Sequence, residues 1–255
     1  MGGNGPLEDP IAEAERIASA ARAARVGIKL LGGAGIHIHS PSAQRAPLKR
    51  KYGDLDYAMP KRDRKAVLAL FPALGYEANE RFNLMQGDKR LYFFDNAHNR
   101  QVDVFIDAIR MSHVIDLRGR LDHEGPCASP SDLLLSKLQI YEMNRKDLVD
   151  LTALLLDHPV ATGSDEAIDA EYVAGLAADD WRFYHALEVN IEKLDATLDE
   201  LDVDRELVRS RLAEIWKAVD AKAKPLKWRL RAQVGDRVRW YELPEEVRSP
   251  YQPDE

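Results

Sequence analysis

RKYGDLDYAM, residues 50–59, carries the pattern on which the fold turns. From Asp54 to Met59 acidic and apolar residues alternate, and a period of two is the signature of a strand whose successive side chains point to opposite faces. Leu55 and Tyr57 then pack inward, while Asp54 and Asp56 project side by side from the other face.

Upstream, PIAEAERIASAARAAR at 10–25 places Ile11, Ala14, Ile17 and Ala21 at helical spacing, and Pro10 suits the first turn. Val26 to Leu31 reads as a short buried strand. Gly32 and Gly33 end it, and without side chains they permit a close approach of the following segment. SPSAQRAPLKRKYG (40–53) has two prolines and no clear period, so it reads as a loop that delivers the chain to Asp54.

Downstream, Val67, Leu68, Leu70 and Phe71 form the apolar side of a helix over 62–74, with Gly75 as its stop. Strands follow over Arg90–Asp95 and Gln101–Ile106, joined by the turn NAHNR, and Asp103 lies within the second. Ser131 to Met143 and Asp147 to Leu156 have helical patterns, the first capped by Ser129 or Ser131. Helical periodicity continues over 166–177, 179–201 and 204–223, until Pro225 interrupts it. The closing KWRLRAQVGDRVRWYEL reads as a hairpin turning at Gly235-Asp236. No internal repeat is present.

A chain of 255 residues with 45% hydrophobic and 31% charged residues has enough apolar material for a core and enough charge to solvate its surface. Cys127 is the single cysteine, which excludes an intrachain disulfide and a cysteine-based zinc cluster and fits a reducing cytoplasm. No apolar run approaches a membrane span and the start lacks a signal-peptide pattern, so a cytoplasmic protein with no membrane partner is expected. Residues 1–9 are expected to be a flexible leader. The net charge of −7 argues against a uniformly basic surface that grips nucleic acid everywhere. Its distribution is divided: 165–204 holds 13 acidic and 2 basic residues, whereas 205–248 holds 12 basic and 7 acidic.

Gly32-Gly33, then Asp54-Leu55-Asp56, then Asp103 in VDVFID form the most specific constellation. Metal-assisted phosphoryl or nucleotidyl transfer needs several hard oxygen ligands, because Mg2+ (or Mn2+) prefers carboxylates and waters. Asp54, Asp56 and Asp103 supply such oxygens, and a glycine turn lets backbone N–H groups approach phosphates. His37 and His39 alternate as a metal pair would, but no HExxH-type partner set accompanies them and a zinc site is not expected.

In this order and these contexts the residues resemble the polymerase-beta-like nucleotidyltransferase superfamily. RKYGDLDYAM, VDVF, DLLLSKLQI and NRKDLVDL look most like its branch of abortive-infection and toxin-antitoxin nucleotidyltransferases. The resemblance covers roughly 26–160 and implies an α/β (α+β) fold, a mixed sheet flanked by helices. The expected organisation is a nucleotidyltransferase domain over 10–160 and a mostly helical C-terminal domain over 165–248.

The resemblance further implies catalytic and metal-binding roles for Asp54, Asp56 and Asp103, with Gly32, Gly33, Arg50, Lys51 and Lys137 on the nucleotide. Asp147 and Asp150 would support the site. The alternative for Lys137 is a stem lying on the core with its charge in water, and for Asp147 and Asp150 a helix-terminal role.

The implied activity is transfer of a nucleoside monophosphate from an NTP to an acceptor hydroxyl, on RNA or tRNA as in toxin-like relatives, or on a small molecule such as an aminoglycoside, or on a protein. An antitoxin protein is the implied partner, and the acidic 165–204 segment is a candidate dock for it. Ala34 stands where many members place Ser or Thr, and Tyr52 where related toxins place a small hydroxyl residue. Those departures support a second reading, a catalytically inactive nucleotide- or partner-binding protein. In the basic tail, Trp228, Trp240 and Tyr241 among Lys227, Arg229, Arg231, Arg237 and Arg239 suit either RNA stacking or a small core with a charged rim, and the core is favoured.

Overall fold

The computed structural model describes residues 5–243. The Asp9 side chain accepts from the N–H groups of Ile11 and Ala12 and, with Pro10 in the first turn, starts α1 (Pro10–Ala23), which buries Ala14, Ile17 and Ala21. β1 (Lys29–Leu30) is shorter than the strand expected over 26–31, because only these two residues pair with a neighbour. Gly32, at φ +59°, also departs from expectation: it opens a helix, α2 (Gly32–His39).

β2 (Leu55–Met59) follows the loop. α3 (Arg64–Ala73) buries Val67 and Phe71 and stops before Gly75, whose φ of +93° only glycine adopts freely. β3 (Glu77–Ala78) and α4 (Glu80–Met85) precede β4 (Arg90–Asp95) and β5 (Arg100–Ile106). A small ribbon of β6 (Ala108–Arg110) and β7 (Val114–Asp116) comes next. β3, α4, β6 and β7 were not foreseen, since elements of two to six residues complete too few periods to register.

The rest of the described chain is helical. Ser129 caps α5 (Pro130–Leu138), which ends short of the expected Met143, and Asn144 and Asp147 form a capping box at the start of α6 (Arg145–Asp157). α7 (Ala170–Asp179), α8 (Trp181–Leu198) and α9 (Arg205–Ala221) begin at Asp169, Asp180 and Asp204, each accepting from backbone N–H groups. The expected hairpin over 227–243 is instead α10 (Leu226–Val234), ended by Gly235 at φ +61°. An isolated two-stranded ribbon buries too little to hold itself. As a helix the segment carries Trp228 to α7 and α8, where its indole N–H donates to the Ala177 carbonyl at 2.9 Å and its ring meets Tyr184 edge-on.

The sheet runs β1-β2-β5-β4-β3, with β2 parallel to β5 and every other pair antiparallel. Its two faces follow the alternation of the sequence. Leu55, Tyr57, Met59, Leu91, Phe93, Val102, Val104 and Ile106 join α1 and α3 in one core, while Ala58 and Phe105 join a second core with α2 and α5 to α9. Asp54, Asp56 and Asp103 belong by parity to this second face. The architecture is therefore a mixed α/β sheet flanked by helices with a mostly helical C-terminal region, and the second core runs unbroken from Leu31 to Val219.

The stretch expected as a flexible leader lies outside the described residues up to position 4; beyond it, Leu7 and Glu8 carbonyls accept from the buried Arg100 guanidinium at 2.6 and 2.9 Å. Phe71, fully buried and stacked on Phe93 at 4.4 Å, centres the first core. Phe71→Ala is expected to cost about 3–5 kcal/mol through lost burial and the cavity left behind, measured by urea unfolding.

Candidate active site

β2 and β5 pair in parallel with Asp56 opposite Asp103, so both carboxylates leave the same face at the same level, with Asp54 two residues along. Asp54 is exposed, Asp56 half-buried and Asp103 buried. Burial, then the charges of Asp54 and Asp103, push the Asp56 pKa up to about 7, although Lys137 and Arg90 pull the other way. Burial also raises Asp103, against the opposing pull of Arg90. Arg90, at the start of β4, holds Asp103 by a hydrogen bond of 2.6 Å.

The glycine pair sits against this row. A side chain at Gly32 would overlap the Asp56 carboxylate, and one at Gly33 would overlap the Arg50 guanidinium and come within 3.0 Å of Asp150 Oδ2. The glycines are thus required by close packing as well as by the positive φ of Gly32. No side chain caps α2, whose N-cap position is Leu31.

Behind Gly33 lies a four-membered charge network. Arg50 makes a fork to Asp150 at 2.7 and 2.6 Å, and the Lys137 ammonium reaches Asp147 at 2.7 Å and Asp150 at 3.1 Å. Burial opposes the Lys137 charge, but Asp150 and Asp147 outweigh it and its pKa is raised. Lys137 therefore does not extend into water: its side chain is only 11% exposed. Asp147 serves the capping box as well. Lys51 stands apart, exposed, contributing only its carbonyl to Arg50 Nη1 at 3.0 Å. Arg50 also lies over the ring of Tyr52 at 4.1 Å, and burial, then Asp150, push the Tyr52 phenol up to about 12.

The donor chemistry of Asp54, Asp56 and Asp103 fits a divalent cation, since hard oxygens are crowded until their charges oppose ionisation. The arrangement is not three open ligands: Asp103 is held by Arg90, and among the described residues no group of three His, Cys, Asp or Glu side chains is disposed around a common metal position. His37 and His39 diverge on α2, the first meeting Tyr52 edge-on and the second His158. In the tail, Trp240 is buried with Trp181 and Ala186, and Trp228 and Tyr241 pack against them, as a small core requires.

Arg90 was missed in the sequence, although a signal existed. The four-residue connection 96–99 pairs Asp95 with Arg100 on the face turned to α1, and counting back pairs Tyr92 with Asp103 and Arg90 with Phe105, both on the carboxylate face.

No family model matches the chain, and no curated protein does. Among solved structures, the chain is similar to the antibiotic-resistance factor ANT(2'')-Ia in its solution structure, at 14% identity and TM-score 0.41 over 74% of this chain and 95% of that one. An antigenic nucleotidyltransferase-like protein from Paracoccidioides brasiliensis is similar at 15% identity and TM-score 0.39, over 84% of this chain and 94% of its own. The Megavirus polyadenylate synthase matches at 13% and 0.34, over 69% of this chain and 39% of its own. Likenesses this distant assign no activity to the chain.

Two measurements probe the electrostatics. Asp56→Asn, melted in chelator, is expected to be more stable than the parent at pH 8. A carboxyl whose folded pKa is raised contributes stability below its ordinary value that is lost as pH rises through about 7, so the difference should shrink towards pH 4. Lys137→Met, which strands Asp147 beside a partly unpaired Asp150, should cost about 3 kcal/mol in denaturant unfolding.

Proposed function

We propose that the chain is a metal-dependent nucleotidyltransferase. The observation that carries this reading is the row Asp54, Asp56 and Asp103 on adjoining strands, with Asp56 packed directly against Gly32 at the start of α2, where no described side chain caps the helix. Carboxylates crowded to the point of mutual repulsion suit a divalent ion, and a helix N-terminus suits phosphate, so both requirements of an NTP–metal complex meet at one place.

Asp54 and Asp56 would hold Mg2+ or Mn2+, which would neutralise charge on the phosphates and polarise the α-phosphorus. The N–H groups around Gly32 and Gly33 would receive phosphate oxygens. Arg50 and Lys137 support the floor of that site more than they offer free charge, because both are already paired with Asp150. In the transfer, the acceptor oxygen bonds to the α-phosphorus as the bond from that phosphorus to its β-bridging oxygen breaks. The electron pair leaves with pyrophosphate. Asp103, once released by Arg90, takes the acceptor proton.

RNA or tRNA is the acceptor we favour, following the motif resemblance to toxin-type enzymes. The same resemblance makes an antitoxin the natural partner, although the acidic face offered for it is partly used internally: Arg209 pairs with Asp195 and Asp199, and Lys222 with Glu171.

A second reading, a non-catalytic nucleotide-binding protein, is favoured by the Arg90–Asp103 bond, which occupies the third carboxylate. Incubation with each α-labelled NTP, Mg2+ and total RNA separates the two. The unmutated protein is expected to label RNA and Asp54→Ala/Asp56→Ala to lose more than about a thousandfold of that rate. Magnesium-dependent NTP binding with no transfer to any acceptor offered would favour the second reading.

A further inference from the structure

A cavity of about 220 Å³ opens between α4, the start of β4 and the ends of β5 and β6. Lys89, Arg90 and Arg110 line it together with Phe82 and Phe105, and among the described residues Glu242 is the only carboxylate in its lining. The Arg90 guanidinium lies 5.8 Å from the centre of the Phe82 ring and 5.2 Å from that of Phe105. The same arginine bonds Asp103, so the cavity adjoins the carboxylate row through one side chain. Lys89 and Arg110 are exposed, and no carboxylate among the described residues forms an ion pair with either.

Position decides what such a cavity can serve. In the strand order β1-β2-β5-β4, the glycine start of α2 lies on the β1 side of the carboxylates and the cavity on the β4 side. An in-line displacement needs the attacking hydroxyl and the leaving group on opposite sides of phosphorus. With the NTP phosphates at α2, the cavity lies on the side from which the hydroxyl would arrive. Charge then restricts its bearer: two unpaired cations repel a polycationic acceptor and attract a phosphate, and an aromatic face beside them suits a planar ring.

We infer that this cavity is the acceptor subsite and that it takes a nucleotide-like anion, with a ring against Phe82 and phosphate on Lys89 and Arg110. The inference rests on the nucleotidyl-transfer reading given above, and it names the acceptor class on evidence independent of sequence resemblance.

The test uses the full chain and a charge reversal, Lys89→Glu/Arg110→Glu, that leaves the carboxylates, Arg90 and the α2 start untouched. Calorimetry would follow binding of AMP, of an RNA tetramer with a free 3'-hydroxyl, and of an aminoglycoside, each with the NTP site saturated by a non-transferable analogue. Circular dichroism melting would verify that the variant folds, and Arg110→Gln supplies a milder change should it not.

The expected result is binding of AMP or the tetramer by the parent, weakened at least about tenfold by the reversal, with NTP affinity kept within about twofold. Binding of the tetramer alone identifies a nucleic-acid end, and equal binding of AMP a free nucleotide. The inference is overturned if the parent binds neither, if the reversal leaves their affinity unchanged, or if the parent prefers the aminoglycoside. Failure of NTP binding in the parent would instead sink the transfer reading, and the two nucleotide probes, titrated alone, would still judge the cavity.

Discussion

The parallel pairing of β2 with β5 forces Asp56 and Asp103 to leave the sheet at one level, with Asp54 beside them. Removal from water first, and then the like charges of Asp54 and Asp103, oppose ionisation of Asp56 and push its pKa up to about 7. Much of the neighbouring structure responds to that charge. Arg90 neutralises Asp103 from β4, Lys137 lies near enough to favour ionised Asp56, and Gly32 surrenders its side chain so that α2 can begin against the same carboxylate. A sheet that only needed stability would not gather three acids on a face that continues, at Ala58 and Phe105, as apolar core.

The network of Arg50, Lys137, Asp147 and Asp150 has a different logic. Two cations and two anions cancel, so it adds little net field, and a buried pair of this kind is weak evidence for stability in itself. It does fix geometry: Asp150 on α6 is tied to Arg50 in the loop before β2 and to Lys137 on α5, and the three meet under Gly33. The loop, the start of α2 and two helices are thereby held at one point. Under the nucleotidyl-transfer reading proposed above, an arriving phosphate would find the floor already positioned and would draw its charge compensation mainly from backbone N–H groups and a metal.

Strand character over 54–59 is legible from the alternation of Asp54, Leu55, Asp56 and Tyr57, over 90–95 and 101–106 from short runs rich in aromatic and β-branched residues on either side of a turn, and the helices α1, α3 and α5 to α9 because their apolar stripes run for two turns or more. The three aspartates were legible from the same parity that buried Leu55, Tyr57, Val102 and Val104. What parity cannot give is distance across the chain. Arg50 and Asp150 lie a hundred residues apart, and only the docking of α6 on the loop brings them together. The tail is ambiguous in sequence because Leu226, Leu230 and Val234 fit a helix while residues 227–234 also fit alternation, and the packing of Trp228 on α7 and α8 decides for the helix.

The divided charge of the C-terminal half follows the same rule of local meaning and tertiary resolution. As a sequence, an acidic block before a basic one invites an external partner for each. Folded, Arg205 and Arg209 of α9 turn to Asp195 and Asp199 at the end of α8, and Lys222 to Glu171, so part of the contrast is spent holding helices side by side. Exposed pairs of this kind contribute at most about 1 kcal/mol each and are screened by salt. Their larger effect is on recognition: residues matched within the fold are less available to steer a ligand. Lys89 and Arg110, which form no ion pair with a described carboxylate, stand next to Arg90 and its carboxylate. A chain of net charge −7 thus still presents positive side chains beside its carboxylate row.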